Sequence, residues 1–206
     1  MIYELALVCK ADCDEGTLSK ITEIVKTAIS NDKGETLVTD DWGTKTFAQP
    51  AAKGVKKGHY LYFIYKTDEN TNTELDRLFK INENVIKSMI IKLGENEEQE
   101  TIVKKYKTPF SKASKGSVTD DIEENSDFEK ERKRFARRKS CWFTARNIKA
   151  DWKDPATYSW LVNEFGKISP ARVSGVSRKH QRFAEAAIKR ARQIGVASYL
   201  TNHIAE

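Results

Sequence analysis

The sequence has no apolar run long enough to cross a bilayer. Its N-terminus, "MIYELALVCK", sets no basic flank ahead of a short apolar stretch, so no secretory signal is expected. Cysteine is scarce: Cys9, Cys13 and Cys141 make an odd count of three, which argues against a disulfide framework and fits a reducing cytoplasm. Cys9 falls in a strand pattern and Cys13 in a loop, with no His or second Cys pair nearby, so both read as plain thiols. No Gly-rich loop could cradle a phosphate, no nucleophile sits beside a base, and no carboxylate–His cluster appears. Enzymatic activity and a cofactor are therefore not expected.

Acid is also scarce, but only at one end. Residues 132–206 hold 17 Lys/Arg and 5 Asp/Glu, a net charge of +12, whereas residues 1–93 carry −1 and residues 94–131 carry −5. A basic third of this kind points to a polyanion, nucleic acid before a membrane surface.

The near-neutral part reads as alternating strands and helices. "IYELALVC" has strand alternation. In "TLSKITEIVKTAISND", Leu18, Ile21, Val25 and Ala28 share a helical stripe, widened by Ile24 and Ile29, with Gly34 suited to a left-handed exit. "ETLVTDDWGTKTFAQP" is a strand bent at Gly43, and "GHYLYFIYKT" is the clearest strand, joined to it by the basic tip "AAKGVKKG". Thr71 and Glu74 make a capping box before a second helix, and "NVIKSMIIKLG" closes as a strand. The order β-α-β-β-α-β predicts an α+β, ferredoxin-like domain with an antiparallel sheet and both helices on one face.

The third strand alternates Leu61, Phe63 and Tyr65 with Tyr60, Tyr62 and Ile64, so one aromatic set faces away from the helices. That set could stack on RNA bases, but "KGHYLYFI" matches the RNA-recognition pattern poorly. The pattern wants an aromatic at His59 and Gly or Ala at Tyr60. Cover by another protein segment is the competing reading.

These residues resemble a family. "MIYELALV", "WGTKTFAQPAAKGVKKGHYLYFIY" and "FKINENVIKSMIIK", in that order, are similar to bacterial small-subunit ribosomal protein six over roughly residues 1–93. Residues 1–94 are taken as this domain. Residues 95–131 change sign repeatedly without an apolar period and read as a flexible charged linker; Lys104, Lys105 and Lys107 could touch a phosphate backbone.

Residues 132–206 form the basic domain, expected to be small and mainly α-helical. It opens with "RKRFARRK", a run suited to neutralising phosphates, and Trp142 and Phe143 follow as anchors. "DPATYSWLVNEFG" reads as a helix with Asp154 as N-cap, Pro155 at its first position, and Trp160, Leu161 and Phe165 on its apolar side. "SRKHQRFAEAAIKRARQ" carries two stripes. Phe183, Ala187, Ala191 and Ile194, joined by Ala184 and Ile188, face a core; Arg178, Arg182, Lys189 and Arg192 face outward. The apolar side is mostly Ala, too small for a membrane helix, and no membrane partner is expected. A DNA-reading helix-turn-helix is disfavoured by the nine residues from Lys167 to Gly175, longer than the usual turn.

"CWFTARNI…DWKD…LVNEFGKISPARVSGVSRKHQRFAEAAIKRARQIGVASYL" is similar to bacterial small-subunit ribosomal protein eighteen over about residues 132–201. Some members of that family hold zinc through a Cys-x-x-Cys and a further Cys. This chain keeps Cys141 but has Thr144 and Ser177 at the matching places, so no metal is expected.

The two resemblances together imply a structural constituent of the small (30S) ribosomal subunit, a fusion replacing a heterodimer. Its implied partners are the central domain of 16S rRNA, in the platform, and neighbouring ribosomal proteins. The expected rRNA-binding residues are Arg134, Arg137, Arg138, Lys139, Arg146, Lys167, Arg172, Arg178, Lys179, His180, Arg182, Lys189, Arg190 and Arg192. Tyr60, Tyr62 and Ile64 are the expected docking face for intramolecular pairing of the two domains. A DNA- or mRNA-binding regulator is the alternative.

Overall fold

The computed structural model describes residues 1–51, 54–94, 99–106, 108–109 and 141–200 of the chain. It divides into two compact units, Met1–Pro109 and Phe110–Glu206.

The first unit runs β1 (Ile2–Lys10), α1 (Glu15–Asn31), β2 (Glu35–Thr46), β3 (Lys57–Lys66), α2 (Glu69–Ile81), β4 (Val85–Gly94) and a short α3 (Gln99–Lys105). The four strands form one sheet in the order β2-β3-β1-β4, every pair antiparallel. This is the ferredoxin-like arrangement the apolar periods predict.

The two central strands decide the packing. On β1, Tyr3, Leu5, Leu7 and Cys9 join Leu61, Phe63 and Tyr65 of β3 in the core, which α1 closes with Ile21, Val25, Ala28 and Ile29 and α2 with Leu75 and Phe79. The alternate residues Ile2, Ala6, Val8, Tyr60, Tyr62 and Ile64 lie on the other face and are buried as well. A strand buried on both faces reads as a near-continuous apolar run, and Ile2–Cys9 is buried throughout. Edge strand β2 keeps the exposed alternation and kinks where its register slips between Asp41 and Gly43, with Gly43 at φ 72°. Ile24, expected in the α1 stripe, is 39% exposed because it lies on the outer flank of the helix.

Two local signals work differently from expectation. The exit from α1 passes through Lys33, which takes the left-handed conformation at φ 56°; the Lys33 amide donates to the Ser30 carbonyl at 3.0 Å and the Gly34 amide to the Ile29 carbonyl at 2.9 Å. Gly34 serves close approach instead. A Cβ there would lie 2.7 Å from the Lys66 carbonyl oxygen and 2.9 Å from that of Ile29. Likewise, α2 starts at Glu69 with Asp68 as its N-cap, so Thr71 is not a cap. Buried Thr71 instead shares its hydroxyl between Thr67 Oγ1 and Asp32 Oδ2, both at 2.6 Å, tying the start of α2 to the end of α1.

The second unit contains α4 (Trp142–Arg146), two 3-10 turns (Pro155–Thr157 and Ser159–Leu161), α5 (Ala171–Ser174) and α6 (Arg178–Ile194). Asp154 does cap, accepting from the Ala156 amide at 3.1 Å, but the expected α-helix is two 3-10 turns broken at Tyr158. Tyr158 is buried with its hydroxyl donating to the Trp152 carbonyl at 3.2 Å. Asn163 then closes the segment, its side-chain oxygen accepting from the Phe165 and Lys167 amides at 3.1 and 2.7 Å. Phe165, expected on the apolar side, is carried outward by that turn and is 64% exposed.

Replacing Gly34 with Ala is expected to lower the unfolding free energy by about 1–3 kcal/mol, since two backbone carbonyls must move. Chemical denaturation of the variant checks this; an unchanged midpoint would contradict the close approach.

Candidate nucleic-acid interface

The interface is built on α6. Ser177 caps it, accepting from the His180 amide at 3.4 Å, and Gly195 ends it in the left-handed conformation. Seventeen residues make nearly five turns, enough to separate two faces cleanly. Gln181, Ala184, Ala187, Ile188, Ala191 and Ile194 are buried. Complete burial of Ile188 and Ile194 stabilises the unit by roughly 1.5–3 kcal/mol each. The three alanines let the helix backbone approach its neighbours closely. Gln181 joins this face through its amide, donating to the Ser169 carbonyl at 3.0 Å.

The opposite face is cationic. Arg178, Lys179, Arg182, Lys189 and Arg190 are all exposed. At 3.6 residues per turn, Arg178, Arg182 and Lys189 fall in one line, with Lys179 and Arg190 beside it. Lys167 and Arg172, from the segment before α6, are also exposed.

Three expected contact residues have other partners. The Arg192 guanidinium turns back, with Nη2 donating to the Gly166 carbonyl and Nε to the Ser198 carbonyl at 3.3 Å; it also lies 5.7 Å from the Tyr199 ring centre. Its role is to hold the segment after α6. Arg146 is half-buried with its guanidinium 5.3 Å from the Trp142 ring centre. His180 stacks on Phe143 at 5.6 Å and turns Nδ1 inward. Arg134, Arg137, Arg138 and Lys139 lie outside the described residues.

His180 sits at the centre of a small polar cluster. Its Nδ1 lies 2.9 Å from Ser177 Oγ, 3.4 Å from Thr144 Oγ1 and 3.4 Å from Cys141 Sγ. The positions matching the related family's zinc ligands are thus brought together. One thiol, one imidazole and two alcohols do not fit a structural zinc site, which takes about four sulfur or nitrogen ligands. Here hydrogen bonds join α4 to α6. Burial pushes the Cys141 thiol up, but the backbone amides of Ser177 and Thr144, with the hydroxyls of both, outweigh it and bring its pKa down to about 6. Cys9 is the opposite case: burial first, then neighbouring Cys13 and Asp41, pushes it up to about 12. The sequence pattern held no signal for an acidic Cys141, because the local amide of Thr144 acts together with that of Ser177, which is distant along the chain.

In the first unit, Tyr60, Tyr62 and Ile64 are 2%, 1% and 1% exposed. Trp42 and Tyr106 both stack on Tyr62, at 4.9 and 5.0 Å, and Phe47 sets its edge on Tyr60. The Tyr106 hydroxyl donates to Asp40 Oδ2 at 2.6 Å and accepts from Trp42 Nε1 at 3.1 Å. Beneath them the buried Glu4 carboxylate accepts from the Tyr62 hydroxyl at 2.7 Å. Tyr106, from the stretch expected to be linker, is therefore a cover of this face that the sequence did not single out.

A small antiparallel α+β domain and a helical domain with a cationic face make a two-domain protein with a surface suited to a polyanion. The family model described as Ribosomal protein S6 matches residues 2–92, and that described as Ribosomal protein S18 matches residues 146–197. The chain thus carries a domain of each family in one polypeptide, and belongs with the small-subunit ribosomal proteins, structural and RNA-binding components of translation with no enzymatic role. Among solved structures it is similar to 30S ribosomal protein S6 from Thermotoga maritima, with 21% identity and a TM-score of 0.44, over 50% of this chain and 97% of that one.

Alkylation of Cys141 by iodoacetamide is expected to rise through a midpoint near pH 6 and level off above neutrality, while buried Cys9 stays unreactive. Peptide mass analysis across pH checks it. A midpoint near that of a free thiol would contradict the hydrogen-bonded thiolate.

Proposed function

We propose that this chain binds the central domain of 16S rRNA and helps stabilise the platform of the small subunit in the cytoplasm, its two domains replacing a heterodimer. The observation that carries the reading is the segregation of α6: an Ala- and Ile-rich face buried in the unit, and five exposed cations opposite it. Together with Lys167 and Arg172 they form a surface for phosphates, which positions a protein on folded RNA without reading base edges. The first unit, near neutral in charge, contributes orientation and few phosphate contacts.

The two domains pair within the chain on the sheet side of Tyr60, Tyr62 and Ile64, through the Trp42, Phe47 and Tyr106 rings that overlie those residues. The linker raises the effective concentration of each domain for the other and makes pairing intramolecular. The boundaries 1–94, 95–131 and 132–206 are the working division, with Tyr106 as a linker residue that remains on the sheet.

Replacing Arg178, Arg182 and Lys189 together with Ala is expected to weaken binding to a central-domain transcript. Each lost phosphate contact lowers the salt slope by about 0.7–0.9, so the triple variant should lose roughly 2–3. Arg192→Ala should leave the slope unchanged and lower stability by about 1–3 kcal/mol, because its bonds are internal. A full slope in the triple variant, or transcript binding no tighter than to random duplex, would overturn the reading. Cutting the linker and mixing the two pieces tests the pairing: association at micromolar concentration is expected, and its absence would count against docking.

A further inference from the structure

We propose that Phe183 is a stacking platform for an unpaired RNA base, set within the cationic face of α6; this rests on the reading of that face as an rRNA contact. The periodicity of α6 assigns Phe183 to the core stripe, yet its side chain is 41% exposed. It lies in line with Lys179, one turn before it, and Arg190, two turns after it. From outside α6, Lys149 Nζ lies over the ring, 5.8 Å from its centre, and an incoming base would take its place as the flexible ammonium moves to a flanking phosphate. The His180 ring, 6.5 Å away and tilted by 52°, supports its inner side.

A single exposed aromatic is ordinary. This one is bordered by three cations, two of them on the same helix, and that changes which partner fits. A protein segment seated on the ring would have to desolvate those cations or bring carboxylates to each. A splayed nucleotide brings both halves at once: its base lies on the ring and the phosphates on either side reach Lys179, Arg190 and Lys149. Aromatic side chains inside a basic surface bind single-stranded nucleic acid in this way. A continuous A-form duplex offers no unstacked base to the ring. The ligand class is therefore a bulged or looped rRNA nucleotide, held by its π-face and not by a hydrogen-bond pattern, so any base is accepted.

The test uses the full chain, a central-domain rRNA transcript, and a continuous RNA duplex as a probe without unpaired bases. Phe183→Leu keeps an apolar side chain of similar size but removes the π-face, and Phe183→Tyr keeps it. Phe183→Leu is expected to bind the transcript about 5- to 100-fold more weakly. Its salt slope should be unchanged, since no counterion contact is lost, and duplex binding should equal wild type. Phe183→Tyr should bind the transcript like wild type. Equal transcript affinity for Phe183→Leu and wild type would overturn the stacking role while leaving the cationic face intact. A matching loss on the duplex would overturn it too, by showing a general defect. Failure of the wild-type chain to prefer the transcript would remove the underlying reading itself.

Discussion

The second unit depends on one constraint: α6 must place its small apolar side chains inward and its cations outward at the same time. Ala184 and Ala191 are fully buried and Ala187 nearly so, which brings the helix backbone within close reach of its neighbours. Bulkier residues there would hold the helix off, and fewer would leave it without a core face. Close approach in turn leaves no room for the long cationic side chains except on the far side. Packing thus requires the far face to be solvated, while its positive sign is set by the choice of Arg and Lys there, whose mutual repulsion a polyanion would relieve.

The same helix is held at both ends by polar groups with partners inside the unit. His180 and Ser177 join its first turn to Cys141 and Thr144. Arg192 joins its last turn to the carbonyls of Gly166 and Ser198. In the related family, positions matching Cys141, Thr144 and Ser177 can hold zinc; in this chain hydrogen bonds meet on one imidazole nitrogen. The consequence is chemical as well as structural, because amides aimed at Cys141 favour its thiolate.

Much of this was legible in the residues, and what was not has identifiable causes. Strands β1 and β3 and the two faces of α6 follow from apolar period alone. Local signals failed where a tertiary contact claimed the residue. Thr71 looked like a cap, but its hydroxyl is held by Thr67 and Asp32. Gly34 looked like a left-handed exit, but the adjacent Lys33 takes that conformation and Gly34 is needed for two nearby carbonyls. The segment after Asp154 has the composition of an α-helix, yet burial of Tyr158 and the turn at Asn163 leave only 3-10 geometry. Periodicity placed Phe183 in the core-facing stripe, but it lies at the stripe's edge and is exposed. The site residues divide similarly: exposed cations of α6 could be read from spacing, whereas the inward turn of Arg192 depends on a carbonyl 26 residues away.

Lysine footprinting on the complex with small-subunit rRNA tests the central claim most directly. Lys179 and Lys189 on α6 and Lys20 and Lys26 on α1 are all exposed in the chain and open to an amine-reactive reagent. With rRNA bound, Lys179 and Lys189 should become protected while Lys20 and Lys26 keep their reactivity. Protection of the α1 lysines with α6 still reactive would contradict the account.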